Sequence, residues 1–564
     1  MPPVNWLLRP VLFSDRPLVE ELGCTPLFAR LLNLRGLNDP AEARLFLDPR
    51  LKNLSDPFLL PGMRVAIDRI LQAIDCKERI VLYGDYDVDG VTSLALFTRI
   101  LRRLGADPKP FLPLRMDEGY GLSPDAVARC VAAHQPQLLL ALDCGTCSVA
   151  EIAGLRAQGV DVLVFDHHES KGEQPDCLAL VNPKLGKDFH YLCSAGIVFK
   201  ACHALLKARP TPDIDLREYL DIAALGTVAD IVPLKGENRV FVQRGLIQLE
   251  RSRWPGLRAL IDSAGISAPF TPADIGFKLG PRINAAGRLA SAEQALELLL
   301  TEEPRRAQAI AEGLSEQNRE RQEVEKAIHR EAEAMVAREY APEHAAIIVG
   351  GDGWHPGVLG IVASRLSKAY YRATFVIGFD ENGLGKGSGR SIEGLSMVKA
   401  LSNCSAHLVK FGGHEMAAGL TIERTQFADF QASFRKHARS LLTDDQLRPR
   451  LYLDAELPLA DVHFDFLEHH ERLQPFGIGN AQPLFLARNV RAAEARILKE
   501  KHYKFSLLQN GGGRAQEAIY FGGAQQPLPS APWDIAFQVA RNEYNGRVSV
   551  QLEIKALRAA EDRP

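Results

Sequence analysis

Residues 84–93, GDYDVDGVTS, place Asp85, Asp87 and Asp89 at alternate positions directly after an apolar run. Alternate residues of an extended chain share one face, so at least two of these carboxylates converge and repel one another unless a cation holds them. Two further acids stand in the same context: Asp143 follows the apolar residues of LLLALDCGT, and Asp166 follows those of VLVFDHHES and precedes His167 and His168. The stretch DIAALGTVADIVPL adds Asp221 and Asp230, the latter in a strand-end-like GTVAD context. Carboxylates with one or two imidazoles, and no convergence of cysteines, suit Mg²⁺ or Mn²⁺ better than a structural zinc. One carboxylate shared by two ions makes a two-metal site that activates a water and stabilises a leaving oxygen. Each aspartate alone reads equally as a turn or helix-capping residue; four acid-bearing strand ends beside a histidine pair favour the metal.

The elements that must position these acids follow from periodicity. Between about 65 and 270 the pattern alternates: helix 65–76, strand 79–84, helix 91–104, strand 136–142, helix 147–157 and strand 161–165. This order predicts a parallel sheet covered by helices, whose ligand sites lie beyond the carboxyl ends of the strands. Residues 1–50 repeat apolar residues at helical spacing and read as a helical lead-in. Residues 291–340 are rich in helix formers of both charge signs, broken at Pro304, and predict a long exposed connecting helix. A second α/β pattern runs over 341–445. From 446 to 564 the period changes to two, with glycine-rich turns, which predicts a small antiparallel β barrel.

Composition narrows the class. The chain has 564 residues, too many for one core, with 46% hydrophobic and 24% charged residues. No apolar run approaches the length of a membrane span, and MPPVNWLLRPVLFSDRP has no secretory pattern. Nine cysteines without a framework fit a reduced cytoplasm. A net charge of −3 neither advertises nor excludes a nucleic-acid partner, because a metal-binding acid cluster offsets basic residues elsewhere.

Other motifs divide into ligands and decoys. The glycine-rich ENGLGKGSGRS lacks the Walker spacing, and reads as a loop whose N–H groups, with Ser388 and Arg390, cradle a phosphate. FGGHEMAAGL offers a second close backbone approach and His414. Tyr120, in GYGL, offers an aromatic platform on which a base could stack, although a tyrosine is more often a packing residue. By contrast CGTC, with Cys144 and Cys147, has no second pair at zinc spacing and reads as helix-start packing. EHHER at 468–472 reads as a solvated helical face.

GDYDVDGVTS, LDCGT, DHH and GTVADIVPL resemble the successive motifs of the DHH phosphoesterase superfamily. PLRMDEGYGL (113–122), PRINAAGRL (281–289), WHPGVLGIVASRL (354–366), GSGRS (387–391), FGGHEMAAGL (411–420) and PFGIGNAQPLF (475–485) narrow the similarity to the RecJ family of bacterial single-stranded-DNA exonucleases. The resemblance implies metal ligands at Asp85, Asp87, Asp143, His167 and Asp230, with His168 against the scissile phosphate and Asp166 supporting the metal. Asp89, as a cap of the following helix, and Asp221, as a rival to Asp230, stay open. It also places Arg115, Arg282 and His414 toward DNA, and supports Arg115, Ser388 and Arg390 as a pocket for a terminal 5′-phosphate. The fold so implied is α/β: a parallel-sheet DHH domain (51–290) after the lead-in (1–50), joined by the long helix (291–340) to a smaller α/β DHH-associated domain (341–445), the two forming a cleft. An OB-like nucleic-acid-binding barrel (446–564) follows. The implied activity is metal-dependent 5′ to 3′ exonuclease cleavage of single-stranded DNA in DNA repair and recombination, using two Mg²⁺ or Mn²⁺ ions. The implied partners are single-strand-binding protein and a RecQ-type helicase. Two other readings share the motifs: a phosphodiesterase of short oligonucleotides or nucleotide messengers, and an inert scaffold. With every ligand upstream, removal of residues from about 450 onward is expected to spare cleavage of very short oligonucleotides.

Overall fold

The computed structural model describes residues 4–114, 118–119, 121–170, 172–289, 291–341, 343–509, 512–544 and 546–560. They form two compact units: Trp6–Gly280 with Ala295–Gln308 and Tyr452–Pro564, and Pro281–Gln294 with Ala309–Leu451 and Met1–Asn5.

The first unit is organised by a five-stranded sheet in the order Lys109–Phe111, Ile80–Gly84, Leu138–Leu142, Asp161–Phe165, Ala179–Val181, parallel throughout. Ile80–Gly84 and Leu138–Leu142 are buried at every position, as strands covered on both faces require. The short edge strands Lys109–Phe111 and Ala179–Val181 are too brief to show a period. Strand order reverses at Ile80–Gly84, so the switch point, where open α/β sheets bind ligands, lies between the ends that deliver Asp85 and Asp143. The helix Val88–Arg103 is buried from Val88 to Leu101. Each of its fully buried large apolar side chains contributes about 1.5–3 kcal/mol.

After the last strand the alternation stops. Ser194–Ala208, Leu220–Ala229, Gly236–Glu250 and Pro255–Ala264 are all helices. GTVAD is therefore the end of a helix, and Asp230 is its C-cap rather than a strand end. The helix is buried from Leu220 to Thr227, and a continuous apolar run cannot distinguish a buried helix from a buried strand.

The N-terminal helices Arg16–Leu22, Pro26–Asn33 and Pro40–Leu47 are no separate lead-in. Leu18, Phe28, Leu31 and Leu32 share one core with Leu457, Leu467, Phe485 and Phe537 of the C-terminal region. There the strands Phe485–Leu498, His502–Gln509, Gly512–Tyr520, Trp533–Tyr544 and Arg547–Ala559 close into a barrel. Closure uses the antiparallel pairing of Phe485–Leu498 with Trp533–Tyr544 and one parallel pairing, Ala518 opposite Leu552, so the barrel is not wholly antiparallel. On Phe464–Glu471 the histidine pair is only partly solvated: His470 is 1% exposed among Phe466, Phe476 and Phe485, and the half-buried His469 packs edge-on against Phe28.

The chain passes to the second unit through Glu293–Leu300 and the 36-residue helix Pro304–Glu339. This helix is not wholly exposed. Ile328, Ala332 and Val336 form a narrow apolar stripe packed with Val349, Trp354, Val358 and Leu366. The unit's sheet runs Lys410–Gly413, Ala417–Glu423, Leu384–Arg390, Ala373–Phe379, Ala346–Asp352, with only the last pair parallel. ENGLGKGSGRS thus contributes a central strand, not a loop. Its glycines alternate for a steric reason: a Cβ at Gly385, Gly387 or Gly389 would come within 2.7, 2.8 or 2.4 Å of Phe379, Ile377 or Phe375. Lys386, Ser388 and Arg390 occupy the opposite face.

Candidate metal centre

Strand ends and helix ends converge on one acid cluster. Asp85 follows the strand Ile80–Gly84 and is buried. Asp87 caps the Val88 helix, accepting from the backbone N–H groups of Asp89 and Gly90 at 2.9 and 3.2 Å. Gly90 is needed there because a Cβ would come within 2.3 Å of the Asp85 carbonyl oxygen. Asp89 does not cap its own helix. Its two carboxylate oxygens accept from the N–H groups of Ser194 and Ala195, at 2.7 and 2.8 Å, at the positive end of Ser194–Ala208.

Asp143 stands at the end of its strand with φ +63°, a left-handed conformation that an aspartate tolerates better than most residues but that still costs about 1 kcal/mol or more. Its N–H donates to the Phe165 carbonyl at 2.9 Å, and the Ser194 hydroxyl donates to its Oδ1 at 2.9 Å. Asp166 is an acceptor hub, taking hydrogen bonds from the N–H groups of Thr146, His167 and His168 and lying 2.7 Å from His168 Nδ1. Asn182 completes the support, donating to Thr146 Oγ1 and the His168 carbonyl at 2.9 Å each.

The ligand-type atoms form overlapping triplets: Asp85, Asp87 and Asp143; Asp143, His167 and His168; Asp89, His167 and Asp230. His167 Nε2 lies 3.4 Å from Asp143 Oδ1, 3.5 Å from Asp230 Oδ2 and 3.9 Å from Asp89 Oδ2. His167 Nε2 and Asp230 Oδ2 are buried without a hydrogen-bond partner. Two atoms each about 2.1 Å from one ion stand roughly 3.0–3.5 Å apart, so the spacing and the unsatisfied atoms both fit a divalent cation. The oxygen-rich donor set fits Mg²⁺ or Mn²⁺.

Electrostatics agree with that fit. Asp143 is held well above the usual carboxylate range by burial and by Asp89, Asp87, Asp230 and Asp85, and Asp230 is raised by burial and then by Asp89 and Asp87. Asp230 also sits at the negative end of its helix. Burial pushes His167 down to about 4, so it is neutral and presents a lone pair. Burial would raise Asp166, but the hydrogen bond and charge of His168 and the Thr146 donors outweigh it and hold the carboxyl low. Burial likewise opposes the charged form of His168, yet Asp166, Asp89 and Asp87 raise its pKa.

Asp221, the rival to Asp230, is absent from this cluster. It lies at the other end of the same helix, about 13 Å along the axis, and accepts from Ile222 N–H at 2.8 Å and Trp254 Nε1 at 3.2 Å. Sequence reading missed Ser194, Thr146 and Asn182, which carry no spacing signal. It also missed Gly226, where a Cβ would come within 2.4 Å of Thr92 Oγ1 and 3.0 Å of Asp89 Oδ1. Cys144 and Cys147 are free thiols, one buried and one exposed.

The remaining site residues lie in the second unit or outside the described residues. Arg390 Nη1 donates to Ser388 Oγ at 3.1 Å and to the Gly389 carbonyl at 2.8 Å. Beneath them is Gly360 of the helix Pro356–Tyr370, where a Cβ would come within 2.8 Å of Arg390 Nη2 and 3.0 Å of Ser388 Oγ. Arg282 Nε donates to Ser315 Oγ at 3.0 Å. His414 is exposed in the turn between Lys410–Gly413 and Ala417–Glu423. Arg115 and Tyr120 lie outside the described residues.

Comparison with known proteins agrees with this architecture. Residues 79–227 match the DHH family N-terminal domain, 343–440 the DHHA1 domain and 453–556 the RecJ OB domain. The single-stranded-DNA-specific exonuclease RecJ of Bacillus subtilis (strain 168) is 36% identical over 561 residues, 98% of this chain and 70% of that protein. The crystal structure of Thermus thermophilus RecJ in complex with Mn²⁺ superposes with a TM-score of 0.84 at 32% identity, covering 99% of this chain and 80% of the other. The Mg²⁺ complex of the same protein gives 0.79 at 31% identity, covering 99% and 79%. The chain belongs to the RecJ family of DHH phosphoesterases.

Proposed function

We propose that this protein is a metal-dependent exonuclease that hydrolyses phosphodiester bonds of single-stranded DNA from the 5′ end. The observation that carries the reading is the position of Asp143, common to an all-acid triplet and to a triplet with His167 and His168, at the switch point of the sheet. Asp85, Asp87, Asp143, His167 and Asp230 would hold two divalent ions, Mn²⁺ or Mg²⁺, with Asp143 reaching both. When bound, the ions supply Lewis acidity for the attacking water and the leaving oxygen. Asp166 orients His168 and, with Asp89 and Asp87, favours its protonated form against burial, so a partly exposed imidazole is placed to neutralise phosphate charge beside the acids. Ser194 and Asp89 hold the Asp143 side of the cluster rigid.

Polarity requires a separate recognition element, because phosphodiester hydrolysis itself is indifferent to direction. Ser388 and Arg390 present a hydroxyl and a guanidinium on one strand face, a donor set suited to a dianionic terminal phosphate. Family resemblance adds Arg115, Arg282, His414 and Tyr120 as residues that would face the DNA. The OB barrel serves as the single-strand-binding module. Resemblance further points to single-strand-binding protein and a RecQ-type helicase as partners in repair and recombination. A cytoplasmic location is supported by nine free thiols, and no helix among the described residues is long and apolar enough to cross a membrane.

The test is digestion of 5′- and 3′-labelled single and double strands with Mg²⁺, Mn²⁺ or EDTA. Metal-dependent release of the 5′ label from single strands is expected first. Release from the 3′ end, or cleavage in EDTA, would overturn the reading.

A further inference from the structure

Asp230 is fixed differently from four of its neighbours. Asp87, Asp89, Asp143 and Asp166 are each oriented by hydrogen bonds. Asp230 Oδ2 has none, so its direction depends on the backbone around it, held on one side by the helix, through its own N–H to the Gly226 carbonyl at 3.0 Å, and on the other by the segment 231–235. That segment begins with Ile231 at φ +62°, a conformation a β-branched residue rarely adopts and holds only when its surroundings enforce it.

Two sets of contacts hold the residues that follow it. On the near side, Asn238 Nδ2 donates to the Pro233 carbonyl at 3.1 Å. On the far side stands a turn of the C-terminal region. The Leu234 N–H donates to the Ile478 carbonyl at 2.7 Å, while a Cβ at Gly477 would come within 2.6 Å of Leu234 Cδ1 and one at Gly479 within 2.9 Å of Pro233 Cβ. The turn is itself locked. Asn480, 2% exposed, donates to the carbonyls of Leu473 and Pro475 at 2.8 Å each and accepts from Arg35 Nε at 2.8 Å. Arg239, one turn after the loop, donates to the Leu473 carbonyl at 3.0 Å.

We infer that Gly477–Asn480 is a positioning element for the metal centre: it clamps Pro233 and Leu234 and thereby sets Asp230, making divalent-ion affinity at the His167–Asp230 end of the cluster dependent on the C-terminal region. The inference rests on the metal-binding reading above. Residues that orient ligands from behind are typically worth about 10–100-fold in metal affinity.

Calorimetric titration of the intact chain with Mn²⁺ is the test. In Gly477→Ala the weaker of two binding steps should lose about tenfold or more in affinity, while the other step and the melting temperature without metal change little. The double variant Gly477→Ala/Leu234→Ala, which makes room for the added methyl, should recover most of the loss. Leu234→Ala alone, which empties the contact that Gly477→Ala overfills, decides the question if Gly477→Ala does not fold, and should show the same selective loss. Two unchanged binding steps, or equal weakening of both without recovery in the double variant, would overturn the inference. Absence of Mn²⁺ binding by the wild-type chain would instead overturn the metal reading beneath it.

Discussion

The Ser194 hydroxyl donates to Asp143 Oδ1 at 2.9 Å while the backbone N–H of the same residue donates to Asp89 Oδ2 at 2.7 Å. One residue at the start of a helix thus fixes the spacing of two carboxylates from two other elements. Neither acid can move to relieve repulsion without breaking a buried hydrogen bond.

Asp143→Ala is expected to abolish hydrolysis, by roughly 10³-fold or more, with the fold intact. Without metal the variant should melt no lower than the wild type, because removing one carboxylate relieves the like-charge repulsion that raises the others. Near-normal cleavage by the purified variant would show that Asp143 is not the shared ligand.

The contribution of Asp143 and Asp230 to stability without metal should fall as pH rises. Asp143 and Asp230 have folded pKa values raised above the ordinary carboxylate value, so the folded protein holds protons there that the unfolded chain has lost. Their contribution is complete below about pH 4 and is lost as pH climbs toward the raised values. A divalent ion displaces those protons, so its affinity should rise by up to about tenfold per pH unit for each proton released. The gain in melting temperature on saturation with Mn²⁺ should therefore be larger at pH 8 than at pH 6. Equal gains would mean that the carboxyls are already ionised in the metal-free protein.

Arg390→Ala should lose mainly the advantage of 5′-phosphorylated over 5′-hydroxyl ends. A charged hydrogen bond of about 1.5–3 kcal/mol corresponds to a loss of roughly one to two orders of magnitude in that preference. Binding measured with Ca²⁺ separates affinity from chemistry. A full preference retained by the variant would place the terminal-phosphate pocket elsewhere.

Removing residues 446–564 should cost more than long-strand binding. The truncation takes Leu457, Phe485 and Phe537 away from the core they share with Leu18 and Phe28, and takes the Gly477–Asn480 turn away from Leu234. Mn²⁺ binding and cleavage of even very short oligonucleotides are expected to fall together. This reverses what the linear order of ligands suggests. Short-oligonucleotide cleavage at the wild-type rate would show that the catalytic core is independent of the barrel.

The sequence by itself determined the class of chemistry and the main sheet. Local patterns sufficed because a strand buried on both faces must be continuously apolar, and a carboxylate just beyond it must be at the strand's end, as at Asp85, Asp143 and Asp166. Local pattern also separated the helical connector from the period-2 barrel. What lay between distant segments was decided only by the tertiary structure. Asp221 and Asp230 are equivalent as letters, but the helix between them delivers one to His167 and the other to Trp254. The alternating glycines of ENGLGKGSGRS lie on a strand where Phe379, Ile377 and Phe375 fill the space their side chains would take. The N-terminal helices found their core in residues more than four hundred positions away. Burial, close approach and unsatisfied polar atoms belong to pairs of segments, and periodicity records only one segment at a time.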